Sequence, residues 1–324
     1  MFLRFLFLLS VIIFQYINSS EFTQEYSHEE VQILGRVSSL IYSNFINDCY
    51  KVDKELQKHI NILVNDYVVD FIRLGVFRYM ILEFKTQPGT IIVVSKGTGN
   101  QAQLFGQWVN LNFFRKQLYY NAGKVWEYQL TAHNLYIDDL LEKIDKLLKN
   151  KKYKNVIFTG HSLGGSLSVL HAFDCVYKNI CSRNETKVVT LGGPRTGDIE
   201  FAKSFNELIP NTYRVVNRKD PINDFPNCKA YSYMVSCRTE DLTSIDDFYH
   251  VGTEVWYYGG TTGPNRNEYV ICKKHVEDSQ CSKKARLTEL SLIQEQQYFE
   301  KWHLEYFVNK STSFDIDTIL CGYE

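Results

Sequence analysis

The stretch Val156-Ile157-Phe158-Thr159-Gly160-His161-Ser162-Leu163-Gly164-Gly165 decides how the chain is read. Val156 to Thr159 are apolar, β-branched or aromatic and read as a buried strand. Beyond the glycines, Leu167, Leu170, Phe173 and Tyr177 recur at helical spacing in a segment reaching Lys178. Strand, Gly-x-Ser-x-Gly and helix together describe a nucleophile elbow. The turn is too sharp for ordinary side chains beside the serine, so Gly160 and Gly164 remove Cβ atoms that would collide with strand and helix. Free N–H groups at the start of the following helix favour negative charge next to the serine oxygen. The bland alternative is a glycine-rich strand-to-helix turn with no chemistry, and only partners for Ser162 separate the two.

Working outward, Thr90–Ser95 is a continuous apolar run of the kind buried on both faces of a sheet. Val188–Leu191 and Tyr213–Asn217 read as two further strands, with helices over Ala132–Lys149 and near 199–208. Buried strands alternating with helices predict an α/β chain with a mostly parallel central sheet and helices on both faces. Helical spacing is read over 27–47 and 51–66, a strand over Phe77–Phe84, a turn at Gln87-Pro88-Gly89 and a short strand over Val125–Leu130. No linker, repeat or low-complexity tract divides residues 20–324, which read as one domain.

Met1–Ser19 carries Arg4, an apolar run from Phe5 to Phe14 and small polar residues at its end, the pattern of a secretory signal peptide. No later segment has the ~20 apolar residues of a membrane span. The formal charge of −1 with mixed signs gives no footprint for nucleic acid. Eight cysteines fit an exported chain, and proximity suggests Cys175 with Cys181, Cys228 with Cys237, and Cys272 with Cys281. None has the spacing of a zinc site, and no metal or cofactor is implied. Asn184-Glu185-Thr186 and Asn309-Lys310-Ser311 are glycosylation sequons.

A serine hydroxyl becomes a nucleophile when a histidine takes its proton and an acid orients that histidine. On this fold the chain order is serine, acid, histidine. Asp220 follows the strand Tyr213–Asn217 directly, with Pro221 stiffening the loop; Asp198 and Asp224 compete with it. His275 lies in a charged stretch and reads as a surface residue, whereas His250 and His303 both stand among aromatic and apolar residues, and spacing does not separate them. His161 is too close to Ser162 to be its base. An oxyanion hole needs two donors; the Leu163 N–H supplies one, and the loop Ser95-Lys96-Gly97-Thr98 occupies the place of the second.

Taken together, Gly97-Thr98, Gly160 to Gly165, Gly193-Pro194-Arg195-Thr196-Gly197, Asn217 to Pro221, Tyr249 to Tyr257 and His303-Leu304-Glu305-Tyr306 resemble, in order, the motifs of the class 3 (fungal-type) lipases, which implies the α/β-hydrolase fold. The resemblance runs from about Val76 to Cys321. It implies Ser162 as nucleophile, Asp220 as acid and His303 as base, leaves His250 a structural role, and gives the oxyanion hole to Thr98 and Leu163. It also implies a disulfide between Cys49 and Cys321. The activity it implies is that of a secreted esterase acting on acyl-glycerol esters, triacylglycerol above all, at a lipid–water interface. A phospholipase A1, an esterase on other carboxylic esters and a non-catalytic lipase-like binding protein are the alternatives.

Leu104, Phe105, Trp108 and Val109, with polar Gln103, Gln107 and Asn110 interleaved, are spaced as one apolar helix face just after the Thr98 loop. They read as a lid or as a core helix. The acidic residue that often follows the tryptophan in the family is absent here.

Overall fold

The computed structural model describes residues 22–70, 75–97, 115–226, 247–285 and 302–308. Eight strands form the main sheet: β1 (Ile60–Asp70), β2 (Gly75–Phe84), β3 (Thr90–Ser95), β6 (Asn155–His161), β7 (Thr186–Leu191), β9 (Thr212–Asn217), β11 (Thr253–Tyr257) and β12 (Val270–Ile271), in that spatial order. From β3 to β11 every neighbouring pair is parallel; β1, β2 and β12 are antiparallel additions at the two edges. The short strands β4 (Lys116–Leu118), β5 (Lys124–Trp126), β8 (Gly197–Asp198) and β10 (Phe248–Tyr249) make a second, antiparallel sheet.

Strand alternation divides the core. Ile91 and Val93 of β3 face a cluster with Leu140, Ile144, Leu167 and Phe173. Ile92 and Val94 face the other way, onto Val31, Leu34 and Val37. These partners sit on α1 (His28–Leu40) behind one face of the sheet, and on α5 (Ile137–Lys149) and α6 (Leu163–Tyr177) in front of the other. Between them in sequence lie α2 (Ile46–Val52), α3 (Leu56–His59) and α4 (Glu127–Asn134); α7 (Ile199–Leu208) follows. The expected mostly parallel sheet with helices on both faces is what the chain forms.

Three element boundaries differ from the sequence reading. The helical spacing of 51–66 ends at His59, and Ile60–Asp70 is a strand paired with β2 from Ile60↔Phe84 to Asp70↔Gly75. Ile60 and Ile62 fit a period of two as well as a helical one, a register shift then moves Val64 to the other core face, and the open edge of β2 decides for the strand. The pattern of 27–47 is interrupted after Leu40 and resumes in α2. Val125–Leu130 is a strand only to Trp126; α4 then begins at Glu127, and a break at Leu135–Tyr136 separates it from α5.

Candidate active site

Ser162 stands between β6 and α6 with φ 57° and ψ −131°, a backbone conformation that costs a non-glycine residue about 1–3 kcal/mol. The turn is held from both sides, as Ser162 N donates to Leu191 O at 3.0 Å and Gly165 N to Ser162 O at 2.9 Å. A Cβ on Gly164 would lie 2.1 Å from Ser95 O, and one on Gly160 would lie 2.4 Å from Gly164 O. The end of β3 therefore passes directly against the elbow, and glycine at both positions is what lets it. Ser162 is 1% exposed, and its Oγ makes no hydrogen bond among the described residues.

At the same end of the sheet, the loop after β9 brings Asp220 to His303. Nδ1–H of His303 donates to Asp220 Oδ2 at 2.8 Å, with both side chains fully buried. The carboxylate is further held by Tyr306, whose hydroxyl donates to Oδ2 at 2.7 Å, and by Ile222 N, which donates to Oδ1 at 2.9 Å. Gly192, at φ 55°, makes room for this group: a Cβ there would lie 2.5 Å from Asp220 Oδ2 and 2.8 Å from the Tyr306 hydroxyl. Burial and the Asp220 charge push the Tyr306 pKa well above its ordinary value, so it stays a donor.

The segment carrying His303 is tied down by backbone and amide contacts. Asn217 Nδ2 donates to Trp302 O at 2.8 Å and to Glu305 O at 3.0 Å, while Thr261 N donates to Asn217 Oδ1 at 3.0 Å. Nε2–H of His161 donates to His303 O at 2.7 Å, and the two imidazole centroids are 4.5 Å apart. The Tyr42 hydroxyl lies 3.3 Å from His161 Nδ1. Burial, with His303 nearby, holds the His161 pKa well below the ordinary histidine value and keeps it neutral. Tyr306, Asn217 and His161 all lie within the family-like motifs, yet nothing in their local spacing marks them as parts of the site.

The rival acids and bases are engaged elsewhere. Asp198 caps α7, accepting from Phe201 N at 2.9 Å. Asp224 is partly exposed and 4.0 Å from Arg195. His250 is buried with Nε2 on Asn223 O, and its own N–H donates to Glu277. His275 is half-buried against Pro210 O rather than on the surface.

Leu163 opens α6, so its N–H has no acceptor within the helix and is available beside Ser162. Gly97, the last described residue before the Thr98 loop, is packed on the elbow, with the Cβ position of Gly164 2.9 Å from Gly97 N. Thr98 itself, Leu104, Phe105, Trp108 and Val109, the signal-peptide segment 1–19, Cys228, Cys237, Cys321 and Asn309 lie outside the described residues. Cys175–Cys181 and Cys272–Cys281 are disulfides, and Cys49 is disulfide-bonded to a partner outside the described residues. Asn184 is exposed in a short 3-10 turn. Glu254, Cys272 and Cys281 lie close enough to suggest a metal site, but the two sulfurs are bonded to each other and Glu254 is held by Arg214 at 2.9 Å.

The family model described as lipase (class 3) matches residues 92–230. A lipase of Caenorhabditis elegans is 28% identical over 269 residues, 80% of this chain and 74% of that protein. The chloroplastic phospholipase A1-Igamma2 of Arabidopsis thaliana is 32% identical over 111 residues, a segment that spans only 20% of the plant protein. Among solved structures, the triacylglyceride lipase of Rhizomucor miehei superimposes with a TM-score of 0.67 at 23% identity, over 92% of this chain and 98% of that one.

Proposed function

Because the chain belongs to the class 3 lipase family, we propose that it is a serine esterase that hydrolyses acyl-glycerol esters, triacylglycerol foremost, through an acyl-serine intermediate. Ser162 attacks the ester carbonyl. His303 takes its proton and returns it to the leaving alcohol, and a water then repeats the sequence on the acyl-enzyme. Asp220 fixes the imidazole tautomer with Nε2 as the basic nitrogen, because Nδ1–H is committed to its carboxylate. Leu163 N–H and Thr98 receive the developing oxyanion.

The observation that carries this reading is the 2.8 Å contact of two fully buried side chains, Asp220 and His303, at the end of the sheet where the strained Ser162 stands. Triglyceride as substrate is supported by the name of the Rhizomucor relative, and phospholipid as a second substrate by that of the Arabidopsis one. We also read the protein as exported and residues 20–324 as one domain. The apolar run after Arg4 and the disulfides support export. Initial rates on a triglyceride emulsion, a phosphatidylcholine dispersion and a soluble short-chain ester test the proposal side by side. Turnover of all three, fastest on triglyceride, is expected. No turnover of any ester by folded protein would leave the fold without the activity.

A further inference from the structure

The β1–β2 hairpin is longer than the sheet needs. Tyr79 of β2 pairs with Ser95, the last residue of β3, and β2 begins four residues earlier, at Gly75. Ser95 in turn pairs with Gly160, two residues before Ser162, so the overhang projects at the catalytic end of the sheet. Its partner in β1 runs alongside it, with Tyr67 opposite Arg78 and Val69 opposite Val76. These four side chains share one face by strand alternation. The opposite face is closed, since Phe77 and Val68 belong to the core cluster.

Lower on the sheet the corresponding face is covered, with Met80 and Leu82 packed in the cluster that includes Val31, Leu34 and Val37 of α1. On the overhang that cover is missing: Tyr67 is 58% exposed, Val69 38% and Val76 43%, although all three have a strand's full chance of burial. Phe45, 57% exposed, lies two residues beyond Ser43, whose carbonyl accepts from Arg78 Nη1 at 2.7 Å.

The charges on this face are of one sign. Arg78 reaches over the Tyr67 ring at 5.8 Å, and Lys96, whose N–H donates to Arg78 O, places its ammonium 5.8 Å from the Tyr42 ring centroid. Neither cation has a carboxylate partner among the described residues, although Lys96 is only 7% exposed. Burial, with Arg78 adding to it, holds the Lys96 pKa down to about 8, as expected of a buried ammonium that no anion compensates. Asp66 of β1 is turned to the other face and bound to Lys143 at 2.6 Å.

We propose that this face of the β1–β2 overhang is a lipid-docking surface: Tyr67, Val69, Val76 and Phe45 enter the apolar layer, while Arg78 meets the phosphate groups of a phospholipid surface and the buried Lys96 behind it adds positive potential. Apolar side chains next to uncompensated cations match the chemistry of such an interface, acyl chains beneath a layer of anionic oxygens. Docked this way, the hairpin holds the catalytic end of the sheet against the lipid. The inference rests on the ester-hydrolase reading for its purpose, but its test does not depend on turnover.

The test is flotation of Ser162→Ala protein with vesicles of phosphatidylcholine alone and of phosphatidylcholine mixed with phosphatidylglycerol, in parallel with soluble-ester turnover by enzymes that retain Ser162. The Val69→Thr/Val76→Thr double variant keeps the strand's β-branched shape and should lower partitioning on both vesicles about tenfold. Arg78→Gln should lower it about fivefold on the anionic vesicles, and less as salt rises. Soluble-ester turnover should stay at the parent level in both. Unchanged partitioning in both variants overturns the proposal. So does a fall in soluble-ester turnover in step with partitioning, because the hairpin would then be acting on the catalytic centre. A parent enzyme that floats with lipid yet turns over no ester would instead count against the hydrolase reading alone.

Discussion

Two buried histidine–aspartate pairs, each with a tyrosine hydroxyl on its carboxylate, lie beside the core clusters on opposite faces of the sheet, one with Tyr306 and one with Tyr119. In the first, His303 meets Asp220 at 2.8 Å and Tyr306 donates to the same carboxylate. In the second, His133 lies 3.4 Å from Asp174 and Tyr119 donates to that carboxylate. The second pair even has a serine within its network: His133 stacks on His171 at 5.1 Å between centroids, and His171 Nδ1 is hydrogen-bonded to Ser95 Oγ at 3.1 Å. The residue types are nearly the same, so they do not decide which is a catalytic centre. Backbone does. Ser95 is the fully buried last residue of an extended strand, whereas Ser162 sits on a φ 57° turn against the first N–H of a helix. Asp174 is also committed to packing, with Lys178 at 3.2 Å as well; although burial pushes its pKa up, His133, Tyr119 and Lys178 outweigh that and hold it at about 2.

The two regions should differ most at their hydroxyls. Ser162→Ala and His303→Ala should each lower kcat by about 10⁵–10⁶ in folded protein, because members of such a triad act as a unit; Ser95→Ala should leave kcat nearly intact. A reversed outcome, measured on a soluble ester, would exchange the roles of the two regions. At the carboxylates, Asp220→Asn should cost about 10⁴ in kcat through the wrong imidazole tautomer. Asp174→Asn should instead cost about 2–4 kcal/mol of stability in urea unfolding, with turnover per folded molecule little changed.

On the catalytic side, Tyr306→Phe separates support of the triad from packing. It deletes the hydrogen bond to Asp220 and the one that Asn217 N donates to the same hydroxyl at 3.0 Å, without touching the reacting atoms; about a tenfold fall in kcat/KM with about 2 kcal/mol of destabilisation is expected. Equal losses of activity and folded fraction would make Tyr306 a packing residue only.

The smallest effect is in pH. His133 and His171 are held neutral by burial, which lowers both pKa values. The unfolded chain gains protons on these groups as pH falls below about 6.5 while the folded chain does not, so stability falls with acidification from that point. The depressed Asp174 adds a second loss: its contribution is complete above the unfolded aspartate value near 4 and disappears as pH falls toward about 2. Urea midpoints of parent and Asp174→Asn protein should therefore converge between about pH 4 and 2; curves that stay parallel there would contradict the assignment.

Much of the fold was legible in the sequence because β3, β6 and β7 are buried on both faces and each carries an apolar stretch, Ile91–Val94, Val156–Phe158 and Val188-Val189. The elbow was legible for a steric reason: only glycine lets Ser95 O come within 2.1 Å of a Cβ position at residue 164. What escaped was set by partners distant in sequence. Residues 60–66 carry helical spacing until β2 presents its edge. His250 and His303 have similar surroundings in sequence, and only the fold shows that one meets Asn223 O and the other Asp220. Tyr306 and His161 act through contacts 86 and 142 residues away, which no local pattern encodes.

If the strained turn decides chemistry, Ser162 is the nucleophile and the serine of the look-alike cluster is inert. Labelling the intact protein with a fluorophosphonate and mapping the adduct by peptide mass spectrometry tests this most directly. One phosphonyl group is expected, on Ser162, absent from Ser162→Ala and strongly slowed in His303→Ala. An adduct on Ser95, or labelling that survives in folded Ser162→Ala protein, would contradict it.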